Sequence, residues 1–139
     1  LKKVPGTVAR HQLKENLSME TKTPILICDD ERGIRESLKL ILAEEYVLSF
    51  VTNGKQAVEY LRRENPPLLI MDIKMPQLNG LEALKEIKAV RPNVRVLIIS
   101  GYEAYDVATQ AFELGADEYL VKPFEKDKIR SVIRTLLAK

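Results

Sequence analysis

From Pro24 onward the apolar positions of the chain alternate between two rhythms. Short, nearly unbroken apolar runs occur at 24–28, 47–51, 68–71, 94–99 and 118–121, bounded by turn-forming or charged residues. Runs of that length read as strands, the purely apolar ones buried on both faces. Between them the apolar residues space out at three- and four-residue intervals. Residues 31–45 place apolar side chains at 34, 38, 41 and 42, and a helix opened by Asn53-Gly54 carries Ala57, Val58 and Leu61 on one side. Residues 80–90 turn Leu81, Leu84 and Ile87 inward; 104–114 is a further helix. The segment 125–138 closes the series with Ile129, Val132, Ile133, Leu136 and Leu137. Such stripes mark amphipathic helices packed on one face. Pro66-Pro67 and Pro92 end two of the segments, and Gly115 stands where a left-handed helix cap is needed.

The expected strands begin near 25, 47, 68, 94 and 118, at intervals of about 21–26 residues. Strand–helix units at that spacing imply right-handed crossovers and a parallel sheet covered on both faces. Five units predict an α/β, flavodoxin-like doubly wound (βα)5 fold with a five-stranded parallel sheet in the order 2-1-3-4-5. A chain of 139 residues fits one such domain, and the expected boundary places it at 24–139. Residues 1–23 read as a leader or linker, with Leu13 and Leu17 as the basis of a weak helical stripe from about 9 to 20 and Met19 at a natural start position.

Composition narrows the chemistry. With 45% apolar and 30% charged residues the chain has a globular balance, and no apolar run approaches the ~20 residues that span a bilayer. Cys28 is the single cysteine, sits inside an apolar run as a packed core thiol, and leaves no internal disulfide, which points to a cytoplasmic setting. His11 is the single histidine, so a cluster of His ligands for zinc is excluded. The net charge of +2 is uneven: residues 1–23 hold five Lys/Arg against two Glu, and 24–139 hold 17 against 18 acids. The body is therefore near neutral, and charge counts alone show no basic face for nucleic acid.

In a doubly wound sheet, ligands bind beyond the carboxyl ends of the strands near the switch in strand order. Asp29 and Asp30 follow the first strand there, Asp72 the third, Ser100 the fourth and Lys122 the fifth. Singly, Asp29 or Asp30 could cap the next helix, Ser100 a turn, and Lys122 could be a solvated lysine. Together they place three acids, a hydroxyl and an ammonium at one edge. Carboxylates about 4 Å apart repel by about 4 kcal/mol per pair at an effective dielectric near 20. Lys122 offsets part of that, and a hard divalent cation with oxygen ligands, Mg²⁺, would offset more. Metal, lysine and hydroxyl stabilise a phosphoryl group in transfer, and a carboxylate among them can form an acyl phosphate. Asp72, single and central, is the candidate nucleophile.

Four segments then carry a resemblance: Ile27-Cys28-Asp29-Asp30-Glu31; Met71-Asp72-Ile73-Lys74-Met75-Pro76 with Gly80 four residues on; Ile99-Ser100-Gly101; and 115–124, Gly-Ala-Asp-Glu-Tyr-Leu-Val-Lys-Pro-Phe. Over about 24–138 the chain resembles the receiver domain of two-component response regulators. The resemblance implies that Asp72 is the phosphoacceptor, that Asp30 ligates Mg²⁺ directly and Asp29 through water, and that the backbone carbonyl of Lys74 completes the protein's share of the metal shell. It implies Ser100 as a switch hydroxyl, Tyr119 as an aromatic that changes rotamer with it, and Lys122 as the phosphate-binding lysine, joined to Pro123 by a typically cis bond. Ordinary half-buried packing is the plain alternative for Tyr119. Lys74 and Tyr102 stand at positions that tune hydrolysis, and their bulk suggests hindered water access.

The function so implied is a phosphorylation-dependent signalling switch, not a turnover enzyme. The phosphoryl donor would be a sensor histidine kinase or phosphotransfer protein, since His11 lies in the leader. The surface made by 104–137 would then act on a downstream effector, and that surface is also where a homodimer could form. Two rivals remain. A phosphatase with an aspartyl nucleophile needs a second acid two residues on, where Lys74 stands. A phosphorylation-independent interaction module on the same fold has no need of Asp30, Asp72, Ser100 and Lys122 together.

Overall fold

The computed structural model describes residues 22–74, 80–101 and 105–139. The expectations for a leader helix around 9–20, for Met19 and for His11 lie outside the described residues, as do those for Met75, Pro76 and Tyr102. Among the described residues five strands, β1 (Thr23–Cys28), β2 (Tyr46–Val51), β3 (Leu68–Asp72), β4 (Arg95–Ser100) and β5 (Glu118–Val121), alternate with five helices. The helices are α1 (Arg32–Leu42), α2 (Gly54–Arg63), α3 (Gly80–Val90), α4 (Tyr105–Glu113) and α5 (Lys126–Leu137). All strand pairings are parallel and the sheet order is β2-β1-β3-β4-β5, as the spacing of the apolar runs predicts.

The sheet separates two cores because successive side chains on a strand point to opposite faces. Leu26, Cys28, Leu69, Met71, Val96 and Ile98 face one layer, filled by Ala57, Val58 and Leu61 of α2, Ala83, Leu84 and Ile87 of α3 and Ala111 of α4. Ile25, Ile27, Leu68, Ile70, Leu97 and Ile99 face the other, filled by Leu38 and Leu42 of α1 and Ile129, Ile133 and Leu136 of α5. Every residue of β3 is buried, as expected of a central strand covered on both sides. Cys28 is one of these core side chains. Among the described residues no helix is long and apolar enough to cross a membrane.

Local chemistry fixes the element ends. Asn53 caps α2 by accepting a 2.9 Å hydrogen bond from the Gln56 amide, while Gln56 reaches back to accept from the Thr52 amide at 2.8 Å. Gly115 has φ of +105°, the left-handed conformation expected of it after α4. α1 differs from expectation. It begins at Arg32 and stops at Leu42, three residues before the end of its apolar–polar stripe, and 43–45 form a turn closed by the Glu45 amide on the Leu42 carbonyl at 3.1 Å. β2 starts one residue earlier than its apolar run implies, because Tyr46 packs into the α1 side of the core. On α3 the fully buried stripe is Ala83, Leu84 and Ile87, with Leu81 only partly covered.

Two joints set up the carboxyl edge. The Asp29 amide donates to the Val51 carbonyl at 3.1 Å, extending the β1–β2 ladder one residue past the strand. Gly80 starts α3 with its amide 3.1 Å from the Ile73 carbonyl, and a Cβ built on it would lie 2.1 Å from that same oxygen. No side chain fits there. Gly80→Ala is expected to cost about 1–3 kcal/mol or more, as overpacking against backbone does, read as a lower urea midpoint with an unchanged m-value. An unchanged midpoint would show that α3 can move away from Ile73 freely.

Candidate functional site

Register brings the site together. Cys28 pairs with Met71 and Asp72 with Ile99, so Asp29 and Asp72 leave adjacent central strands at the same level. Ser100, paired with Val121, stands one step further along β4, and Lys122 one step beyond that on β5. The Lys122 amide donates to the Ser100 carbonyl at 2.7 Å, tying the two segments past the last strand pair. The Lys122–Pro123 bond is cis.

Lys122 is the hub. Its Nζ lies 2.8 Å from Asp72 Oδ2, 3.2 Å from Asp29 Oδ2 and 3.3 Å from Glu31 Oε1. Asp72 Oδ1 accepts from the Lys74 amide at 2.9 Å, and Asp29 Oδ1 from the Glu31 amide at 2.8 Å. Each buried carboxylate thus has one oxygen held by backbone and one by the ammonium. Asp29, Asp72 and Ser100 are buried, whereas Asp30 and Glu31 are exposed at the mouth. Asp29 does not cap α1. The N-cap is Glu31, without a side-chain capping bond, and Asp29 instead spans the short loop before the helix.

Oxygen atoms of Asp29, Asp30, Glu31 and Asp72 all lie within 4.8 Å of one another. One ammonium cannot balance four carboxylates. The donor set is entirely hard oxygen, partly buried and partly open to water, which fits Mg²⁺ with retained waters better than a thiolate- or imidazole-seeking metal. Burial pushes the Asp29 pKa up, the Glu31 amide and Lys122 pull it back, Asp72 adds to the rise, and the net shift is upward. Lys122 shows the converse. Burial alone would lower it, but the hydrogen bond and charge of Asp72, joined by Asp29, raise its pKa overall. Cys28, directly behind the cluster, is pushed from 9.0 to about 12 by burial and then by the charges of Asp29, Asp72 and Asp30.

The sequence-predicted residues Asp29, Asp30, Asp72 and Lys122 therefore meet at one point, with Ser100 joined through its carbonyl and Lys74 through its amide. Tyr119 lies on β5, partly buried against the core layer of α2, α3 and α4. Sequence reasoning missed Glu31 as a partner of Lys122, and Arg35, whose Nη1 donates to the Asp29 carbonyl at 2.8 Å. Glu31 was visible only as the third acid of an Asp-Asp-Glu run; Arg35, one helical turn further on, gave no signal.

The match to a family model described as a response regulator receiver domain covers residues 25–134. Among curated proteins, sporulation initiation phosphotransferase F of Bacillus subtilis is 38% identical over 114 residues, 81% of this chain and 92% of that protein. The chemotaxis protein CheY of the same organism is 36% identical over 115 residues, 81% of this chain and 96% of that one. The chain spans only 50% and 26% of the length of two other relatives. Among solved structures, the response regulator TrrA of Thermotoga maritima in complex with Mg(2+)-BeF superposes with a TM-score of 0.74 at 35% identity, covering 82% of this chain and 98% of that one.

Two measurements test the electrostatics. Because the folded Asp29 pKa is raised, its contribution to stability is present in acid and is lost as pH rises through the folded value. Asp29→Asn is therefore expected to raise Tm at neutral pH in metal-free buffer, with the gain shrinking as pH falls; a lowered Tm would mean that the contacts of Asp29 with Lys122 and the Glu31 amide outweigh its burial. For Cys28 the folded state keeps a proton that the unfolded thiol gives up from pH 9.0 to about 12. Stability is lost across that window by up to about 1.4 kcal/mol per pH unit from this group, and Cys28→Ala should flatten the alkaline slope of chemical-denaturation stability by one proton.

Proposed function

This chain belongs to the response regulator receiver domain family, a signalling domain of two-component systems and not a turnover enzyme, and from that premise we propose that Asp72 accepts a phosphoryl group from a partner histidine kinase or phosphotransfer protein. The observation that carries the reading is the 2.8 Å contact between Lys122 Nζ and Asp72 Oδ2 inside a cluster of hard oxygen ligands. Asp29, Asp30, Asp72 and the Lys74 carbonyl would hold Mg²⁺, which when bound supplies positive charge to the phosphoryl oxygens.

In the transfer the Asp72 carboxylate attacks phosphorus, the phosphorus–nitrogen bond of the partner's phosphohistidine breaks, and its electron pair returns to the imidazole. The Lys74 amide holds Asp72 Oδ1, and Oδ2, which Lys122 holds in the resting protein, is the attacking atom. Lys122 follows the charge from the carboxylate onto the new phosphoryl oxygens, the place where negative charge grows. Ser100, buried one register step beyond Asp72, turns its hydroxyl toward the phosphoryl group, and Tyr119 moves inward from β5 as it does so. The consequence is a population shift over α4, β5 and α5, the surface offered to a downstream effector or a second copy.

The test is to incubate the protein with Mg²⁺ and a small phosphodonor such as phosphoramidate and weigh the intact chain. A single acid-stable, base-labile phosphoryl group is expected in the wild type and none in Asp72→Asn. Absence of any adduct would turn the reading to an interaction module on the same fold. Continuous phosphate release from varied esters would turn it to a phosphatase.

A further inference from the structure

Arg35 lies one turn into α1, its amide donating to the Glu31 carbonyl at 3.1 Å. Its side chain runs back past the start of the helix, and Nη1 donates to the Asp29 carbonyl at 2.8 Å. That bond completes a set. The Asp29 amide is held by the Val51 carbonyl at 3.1 Å, Oδ1 by the Glu31 amide at 2.8 Å and Oδ2 by Lys122 at 3.2 Å. The Asp29 carbonyl belongs to the planar peptide that leads into Asp30, so holding it fixes the plane from which Asp30 starts. Asp30 is the acid that depends on this. Asp29 and Asp72 each have a backbone amide and Lys122 on their carboxylates, and Glu31 has Lys122. Asp30 is exposed, and among the described residues its carboxylate has no hydrogen bond or ion pair, so the backbone beneath it sets its direction.

We propose that Arg35 is a positioning residue of the cation site: by holding the Asp29 carbonyl, its guanidinium aims the Asp30 carboxylate into the cluster. The proposal rests on the reading of Asp30 as a ligand of Mg²⁺. The anchor is firm, because α1 is fixed in the core by Leu38 and Leu42, while its N-cap Glu31 makes no side-chain capping bond. Arg35 does not serve as a second cation, since among the described residues the ion pairs of the four acids are all with Lys122. The role carries a sign that charge alone contradicts. Removing a positive charge near four carboxylates tightens cation binding. Removing the positioning bond weakens it, because a ligand that must be ordered on binding costs affinity.

The probe is Mn²⁺, which hard oxygen donors accept as they do Mg²⁺. Its free concentration is read by electron paramagnetic resonance, and Mg²⁺ constants follow by competition. Wild type, Arg35→Gln, Arg32→Gln, Asp30→Asn and the double variant Asp30→Asn with Arg35→Gln are compared well below the Tm of each, where global stability does not enter. Arg35→Gln is expected to weaken binding about tenfold, the usual loss when a residue that orients a metal ligand is removed. Arg32→Gln, which removes the same charge from an exposed position of α1, is expected to bind at least as tightly as wild type. In the Asp30→Asn background Arg35→Gln is expected to change the constant by less than about twofold, because the group it aims has lost its charge. Unchanged or tighter binding in Arg35→Gln would overturn the proposal, and so would an equal loss in Arg32→Gln. A further tenfold loss in the double variant would show Arg35 acting other than through Asp30 and overturn it too. A wild type that binds no Mn²⁺ would instead overturn the metal reading, and this one with it.

Discussion

One ammonium holds the carboxyl edge of this protein together. The loop after β1 and the end of β3 bring four carboxylates within reach of one another, and Lys122, delivered from the far side of the sheet, is the cation that touches three of them. Its placement depends on every element between. β5 must be the last strand, paired to β4 in the register that sets Val121 beside Ser100, and the Lys122 amide must find the Ser100 carbonyl. A one-residue slip of β5 would turn the lysine to the opposite face of the sheet. The apolar alternation that fixes this register is therefore as necessary to the site as the charged residues are.

That dependence explains what could be read from the sequence. Element types and sheet order were legible because apolar runs and helical stripes are long-range signals averaged over many residues. Asp29, Asp72, Ser100 and Lys122 were legible because each stands within one residue of the carboxyl end of a strand, where the fold places its ligand edge. Glu31 and Arg35 were not. Their roles come from side-chain reach across a short loop, and the same letters on a helix start would suit a solvated surface equally well. The end of α1 was misplaced for a related reason: 43–45 contain good helix formers, but Tyr46 is drawn into the core as the first residue of β2, and the chain has to turn before it. Packing overruled propensity there. Leu40 is the inverse case, an apolar residue 85% exposed on the outer side of α1, off the stripe made by Leu38 and Leu42.

The opposed effects on Asp29 and Lys122 say what state the edge is in. Lys122 stays firmly protonated despite burial, yet Asp29 is still pushed upward by burial and by Asp72. The charge count, four carboxylates against one ammonium, leaves the pocket with a surplus of negative charge. An incoming phosphoryl group is itself an anion, so it enters such a pocket favourably only alongside additional positive charge. On the proposed function, cation binding and phosphoryl binding would be thermodynamically linked, each strengthening the other by the same factor. The surplus of carboxylates would be the source of that coupling. A receiver domain with a neutralised edge would be more stable and would lose the coupling between cation and phosphate.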